Sequence, residues 1–140
     1  MDIDHLHKIV NKLDNNEFIF RRQGKTYTLL TLLIGEMELG GVDETYYYIT
    51  STHAAVLYTI EQFIMILCNM GFKNDDFTLI KHVTKVRLNS TRNNVIFKSI
   101  ESLTERDVNG VYVANVYFDL SIEEEVRYAE KITTLKTRIK

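Results

Sequence analysis

The chain has 140 residues, with a hydrophobic content of 45% and a charged content of 26%. These proportions exclude a disordered or fibrous protein, and the length suits one domain with a single core. The formal net charge of −2 excludes a strong overall attraction to nucleic acid, so any such contact must be local.

The single cysteine and the amino-terminal residues bear on the compartment. Cys68 has no cysteine partner in the chain, and its place in the apolar run 54–70 predicts a small buried side chain. The first residues lack the basic-then-apolar pattern of a signal peptide, and the apolar run is too short and too polar to span a bilayer. The sequence therefore predicts a cytoplasmic protein, in the host cytoplasm if the chain is viral, with no membrane partner.

The first third of the chain predicts two helices with a strand between them. Apolar residues at helical spacing predict an amphipathic helix over residues 3–14. Phe18 to Phe20 predicts a short strand, and residues 25–39 predict an apolar helix that ends at Gly40-Gly41. Residues 17–39 together predict a strand, a tight loop and a helix.

The next segment predicts a second strand followed by a long helix. Residues 45–50 (TYYYIT) are rich in strand-forming side chains. Ser51-Thr52 can cap a helix from about His53 to Met70, which ends at Gly71 and is apolar on nearly every face, so we expect it to be buried. Consecutive strand-helix units favour a parallel sheet.

The remaining residues predict a hairpin, a buried strand and a closing helix. Residues 78–88 and 95–97 indicate strands joined by a turn at 89–94. Residues 111–119 predict an apolar strand that ends in an acid, and 121–139 predict an amphipathic helix. The predicted fold is one α/β domain of three layers, with a mainly parallel sheet and a possible antiparallel hairpin.

A phosphate-binding motif lies where the predicted loop meets the predicted helix. Gly24-Lys25-Thr26 follows the strand and opens the helix, where unpaired N–H groups and the helix dipole favour a phosphate. Lys25 would reach the β- and γ-phosphates, and the Thr26 hydroxyl would help to hold Mg²⁺. The full motif G-x-x-x-x-G-K-[S/T] is not met, because Ile19 stands at its first glycine.

A second element of such a site is a carboxylate at the end of a neighbouring strand. Residues 116–119 (VYFD) provide it, since three apolar residues bury the strand and Asp119 follows at its tip. We therefore expect Asp119, with Thr26, to hold Mg²⁺.

Four segments of the chain together resemble the ATPase domain of phage large terminase subunits, the motors that package DNA into procapsids. In chain order they are RRQGKT, YYYITST, VRLNSTRNNVIFKSI and VYVANVYFD. The resemblance covers residues 15–125. It implies a P-loop NTPase-like fold, with ATP and Mg²⁺ as cofactors. The expected partners are the nucleotide, double-stranded DNA, other phage packaging proteins, and further copies of the chain or a partner chain. The nucleotide-binding residues that it implies are Arg22, Gln23, Gly24, Lys25, Thr26 and Tyr27.

The catalytic residues that the resemblance implies are less complete. Lys25 is one, and Arg21 or Arg22 would stabilise charge in the transition state. In the family a glutamate follows the metal-binding aspartate and orients the attacking water, but Leu120 stands there in this chain. Glu123 or Glu124 could replace it, although an acidic run is also typical of a solvated first turn of a helix.

Two alternatives to an ATPase stay open on the sequence. Leu120 favours a non-hydrolysing nucleotide-binding or structural relative that assembles with a larger partner. A small phosphotransferase, such as a nucleoside kinase, would share the loop and the strand-end acid. Basic residues around the hairpin could touch a DNA backbone or form a solvated face; they are Lys81, Lys85, Arg87, Arg92 and Lys98.

Overall fold

The computed structural model describes the backbone of residues 17–140 and the side chains from Gly24 onward. The helix predicted over residues 3–14 lies outside the described residues. In chain order the elements are α1 (Glu17–Leu39), β1 (Thr45–Thr50), α2 (His53–Asn69), β2 (Phe77–Ile80), a 3-10 turn (Lys81–Val83), β3 (Lys85–Leu88), β4 (Asn94–Ser99), α3 (Glu105–Val108), β5 (Asn115–Phe118), α4 (Ile122–Arg127) and α5 (Ala129–Lys136).

The five strands form one mixed sheet in the order β2-β3-β4-β1-β5. The central strand β1 pairs in parallel with β4 on one side and with β5 on the other. The strands β2, β3 and β4 follow one another as antiparallel neighbours. The predicted α/β class and the antiparallel hairpin are therefore confirmed, whereas the sheet is mixed and not mainly parallel.

Helices cover both faces of this sheet because successive residues of a strand point to opposite faces. Tyr46 and Tyr48 of β1 pack with α1 and α2 in one buried cluster. Tyr47 and Ile49 pack with α3 and α5 in a second cluster on the other face. The sheet is thus the middle layer between two layers of helices.

The strand predicted at Phe18 to Phe20 is wrong, and so is the tight loop before Lys25. Residues 17–39 form one continuous helix, α1, so Gly24 lies inside it. Adding a residue to a formed helix gains a hydrogen bond at little cost, and Glu17, Arg21, Arg22 and Gln23 are good helix formers. This local preference prevails over the strand propensity of the three residues at 18–20.

The helix α2 follows the prediction at both ends but not on its outer face. The side chain of Thr52 caps it by accepting a hydrogen bond from the Ala55 N–H, and Gly71 follows its end with a φ of +98°. Leu57 and Met65 are exposed on the helix, and so is Cys68, which contradicts the predicted burial of the cysteine. The exposed Glu61 lies between these side chains at helical spacing, so the outer face of α2 is mixed in character and open to solvent.

The single closing helix predicted over residues 121–139 is wrong, because two helices occupy that segment. They meet at Tyr128, whose backbone conformation is not helical. Ile132 and Leu135 are buried as expected, whereas Ile122 and Val126 of α4 are exposed. Among the described residues, none of the helices combines the length and hydrophobicity that a bilayer-spanning segment needs.

Candidate functional site

The carboxyl end of β5 meets the first half of α1 through two buried polar side chains. Asp119 directly follows β5 and is tied to β1 by its backbone N–H, which donates to the Ile49 carbonyl at 2.8 Å. The Thr26 hydroxyl donates to Asp119 Oδ2 at 2.5 Å. The structure thus brings together the two residues that were predicted to hold Mg²⁺.

Tyr48 is a third member of this contact, and the sequence analysis did not predict it. Its hydroxyl donates to the same Asp119 Oδ2 at 2.8 Å. Burial, together with the negative charge of Asp119, raises the pKa of Tyr48 far above its ordinary value, so the phenol stays protonated and donates. The only sequence signal is the alternation of residues 46–48, which places Tyr46 and Tyr48 on one face of β1.

Lys25 lies beside this buried pair at the protein surface. Its ammonium donates to the Leu120 carbonyl at 2.6 Å and lies 4.0 Å from Glu125 Oε1. The Lys25 side chain remains 42% exposed. The predicted phosphate-binding lysine is therefore held at the tip of β5, next to the acid, with part of its surface open to a ligand.

The two glutamates predicted as catalytic, Glu123 and Glu124, do not approach Lys25 in this conformation. Glu124 forms a capping box with Ser121, in which its carboxylate accepts from the Ser121 N–H at 3.0 Å. Glu123 is exposed on α4. Glu125 is the acid that reaches Lys25, and no sequence pattern distinguished it from its two neighbours.

The other predicted nucleotide-binding residues lie along α1. The side chains of Arg21, Arg22 and Gln23 lie outside the described residues. Gly24 is half-buried within the helix. Tyr27 packs against the buried cluster that α1 shares with α2, and burial raises its pKa. This contact with the core makes the partly buried Tyr27 a packing residue in this conformation.

Comparison of the chain with known proteins identifies no relative. The chain matches no protein-family model, no curated protein and no solved structure. The function of this chain must therefore be inferred from the geometry of the site itself.

The oxygen atoms of Thr26 and Asp119 fit a Mg²⁺ ion only if a bound substrate supplies further oxygen ligands. The Thr26 hydroxyl and the Asp119 carboxylate are oxygen donors within hydrogen-bond distance of each other, and Mg²⁺ prefers oxygen. Within the part of the chain that the structure describes, no group of three His, Cys, Asp or Glu could hold a metal ion alone. This arrangement suits an ion that keeps its waters and is completed by substrate phosphates.

Proposed function

We propose that this chain is a nucleotide-binding domain of the P-loop ATPase type, similar to the ATPase domain of phage large terminase subunits, and that it binds ATP with Mg²⁺. One observation carries the proposal: Lys25 and Thr26, adjacent in α1, contact Leu120 and Asp119, adjacent at the end of β5. A lysine, a hydroxyl and a strand-end carboxylate are the side chains that phosphate and Mg²⁺ require together.

Each of these side chains has a role that its surroundings support. Lys25, which is partly exposed, would exchange the Leu120 carbonyl for a phosphate oxygen. Thr26 and Asp119 would bind Mg²⁺ directly or through its waters, and the bound ion would neutralise the charge of the phosphates. The Tyr48 hydroxyl donates to Asp119 from the neighbouring strand β1 and keeps the carboxylate oriented toward α1.

The helical state of residues 17–24 has a consequence for this proposal. Backbone N–H groups inside a helix are bonded to carbonyls of the preceding turn and cannot bind phosphate, whereas those of a first turn can. We infer that nucleotide binding requires α1 to begin near Lys25, with residues 17–24 forming the loop. Gly24 favours this change, because glycine costs a helix about 1 kcal/mol relative to alanine.

A specific observation favours a second candidate, a domain that binds nucleotide without hydrolysing it. Leu120 occupies the position after Asp119 where the terminase family has its catalytic glutamate, and its side chain is buried. Glu124 caps its own helix, and Glu125 pairs with Lys25. The non-hydrolysing domain would act by assembling with a partner chain that completes the site.

Contact with DNA has weaker support than nucleotide binding. Of the basic residues around the hairpin, Arg92 forms a bidentate pair with Asp43, and Lys98 lies 3.9 Å from Asp107. Lys81 and Arg87 are exposed and could contact a phosphate backbone. DNA and other packaging proteins therefore remain proposed partners through the terminase resemblance alone.

Nucleotide titration of the wild type, Lys25→Ala and Lys81→Ala tests the proposal. We expect the wild type to bind ATP in the presence of Mg²⁺, Lys25→Ala to bind at least about tenfold more weakly, and Lys81→Ala to bind as the wild type does. Phosphate release by the wild type would favour the ATPase, and binding without release would favour the second candidate. Absence of ATP binding at millimolar concentration would refute both.

A further inference from the structure

We propose, as an extension that rests on the proposed function, that Glu125 sets the metal dependence of nucleotide binding. Its carboxylate pairs with the Lys25 ammonium, the group that would bind a phosphate. Nucleotide must therefore compete with the charge of Glu125, and this competition favours ATP complexed with Mg²⁺ over metal-free ATP.

The geometry of Lys25 supports this role for Glu125. The Lys25 ammonium has two oxygen contacts, the Leu120 carbonyl at 2.6 Å and the Glu125 carboxylate at 4.0 Å. Both oxygens belong to the short segment that follows β5. At 4.0 Å Glu125 forms an ion pair with Lys25 but no hydrogen bond, so a phosphate oxygen would compete with Glu125 for the charge of the ammonium and with the Leu120 carbonyl for one of its donors.

The charges around Lys25 show why the metal matters. Asp119 and Glu125 are both carboxylates, so the two acids outnumber the one ammonium among these three side chains. Metal-free ATP carries about two more negative charges than its Mg²⁺ complex, and it would meet Glu125 as well as Asp119. Mg²⁺ removes the repulsion from Asp119 by binding near it, and the repulsion from Glu125 is then the remaining barrier.

The position of Glu125 allows it to move away. The Glu125 side chain is 48% exposed, and α4 contributes no buried residue to the core. The helix is also separated from α5 by the break at Tyr128. Release of Lys25 would therefore cost the fold little, because an exposed ion pair contributes little to stability.

The test measures ATP affinity twice, in excess Mg²⁺ and in excess chelator, for the wild type, Glu125→Gln and Glu130→Gln. Glu130 is an exposed acid on α5, so its variant makes the same change in net charge away from Lys25. We expect Glu125→Gln to bind metal-free ATP about three- to tenfold more tightly than the wild type, with a smaller gain for the Mg²⁺ complex. Glu130→Gln should keep the wild-type ratio of the two affinities within about twofold.

The outcomes separate this inference from the function on which it rests. If the wild type binds ATP with Mg²⁺ and Glu125→Gln keeps the wild-type ratio, Glu125 does not control metal dependence and only this inference falls. The same conclusion follows if Glu130→Gln changes the ratio as much as Glu125→Gln does. If the wild type fails to bind ATP with Mg²⁺, the proposed function falls as well.

Discussion

Helix α1 joins two polar clusters at opposite ends of the sheet. The carboxyl-end cluster consists of Lys25, Thr26, Tyr48 and Asp119. The amino-end cluster consists of Glu36, Asn93, Asn115 and Tyr117. Thr26 and Glu36 are ten positions apart on α1, which separates the clusters by about 15 Å along the helix.

The amino-end cluster is closed within the protein. Glu36 Oε1 accepts hydrogen bonds from the Tyr117 hydroxyl and from Asn115 Nδ2. Asn93 is fully buried and uses its whole amide: Nδ2 donates to the carbonyls of Met37 and Gly41, and Oδ1 accepts from the Glu44 N–H. These contacts fasten the end of α1 to the start of the parallel strands.

The carboxyl-end cluster differs because one of its members is open to solvent. Thr26, Tyr48 and Asp119 are buried, but Lys25 is exposed and is held by a carbonyl and a surface carboxylate. Contacts of this kind can be exchanged for a ligand at little cost. The polar groups of the amino end are used up in stabilising the fold, whereas at the carboxyl end we propose that the exposed Lys25 is available to a ligand.

The largest expected effect is on stability and comes from the amino end. Asn93→Ala should lower the free energy of unfolding by about 3 kcal/mol, because it removes the hydrogen bonds to the buried Met37 carbonyl, to the Gly41 carbonyl and from the Glu44 N–H. Urea denaturation measures this change. Asn94→Ala, which loses one exposed hydrogen bond, should cost less than about 1 kcal/mol. Equal losses in the two variants would refute the closed amino end.

Both clusters contain a tyrosine beside a carboxylate, which predicts loss of stability in alkali. Burial raises the pKa of Tyr48 and of Tyr117 well above 10, the value in the unfolded chain. The folded state then holds these protons while the unfolded state loses them. Stability is therefore complete below pH 10 and falls above it, by about 1.4 kcal/mol per tyrosine at pH 11.

Phenylalanine variants test the alkaline prediction by denaturation at pH 8 and pH 11. Tyr48→Phe and Tyr117→Phe should each lose less stability over this interval than the wild type does. Tyr112→Phe, at an exposed position, should lose as much as the wild type. A wild-type dependence on pH in all three variants would show that Tyr48 and Tyr117 do not cause the loss.

The next effect concerns ligand binding at the carboxyl end. Asp119→Asn keeps the shape of the side chain but removes its charge, so affinity for ATP with Mg²⁺ should fall by about tenfold or more. The control is Asp75→Asn, at an exposed position, which should bind as the wild type does. Calorimetric titration compares them. If Asp119→Asn kept full affinity in Mg²⁺, the carboxyl end would not be a metal-dependent site.

The smallest effect distinguishes two glycines of α1. Gly24→Ala and Gly35→Ala should each strengthen the helix by about 1 kcal/mol, and nothing lies within 4 Å of a Cβ added at Gly35. Only Gly24→Ala should weaken ATP binding, by up to about fivefold, because it opposes the loop at residues 17–24. Identical ATP affinities for the two variants would contradict that rearrangement.

The elements that were predicted correctly have strong local patterns. The strand at residues 45–50 and the helix that begins at His53 carry β-rich residues, a Thr52 cap and a terminal glycine. The segment at 17–24 has conflicting signals, since strand formers at 18–20 stand beside helix formers. The chain adjoining a stable helix then takes the helical state.

The predicted site was incomplete for a geometric reason. Lys25, Thr26 and Asp119 belong to recognisable local motifs, and the fold brings them together. Tyr48 and Glu125 enter the site through strand register and through the direction in which α4 leaves β5. Alternation at residues 46–48 gives the face of β1 on which Tyr48 lies but not its partner, and no pattern distinguishes Glu125 from its neighbours.

Tyr117 lies in β5 and Asp119 directly follows the strand, so the two are only two positions apart, yet they bond to residues ten positions apart on α1, Glu36 and Thr26. Two hydrogen bonds, Thr26 to Asp119 and Tyr117 to Glu36, thus fix the position of the helix along the strand. A shift of α1 along its axis by one residue, about 1.5 Å, would break both hydrogen bonds at once. Any adjustment of the helix to a ligand must therefore be confined to the turns before Thr26, while the remainder keeps its place on the sheet.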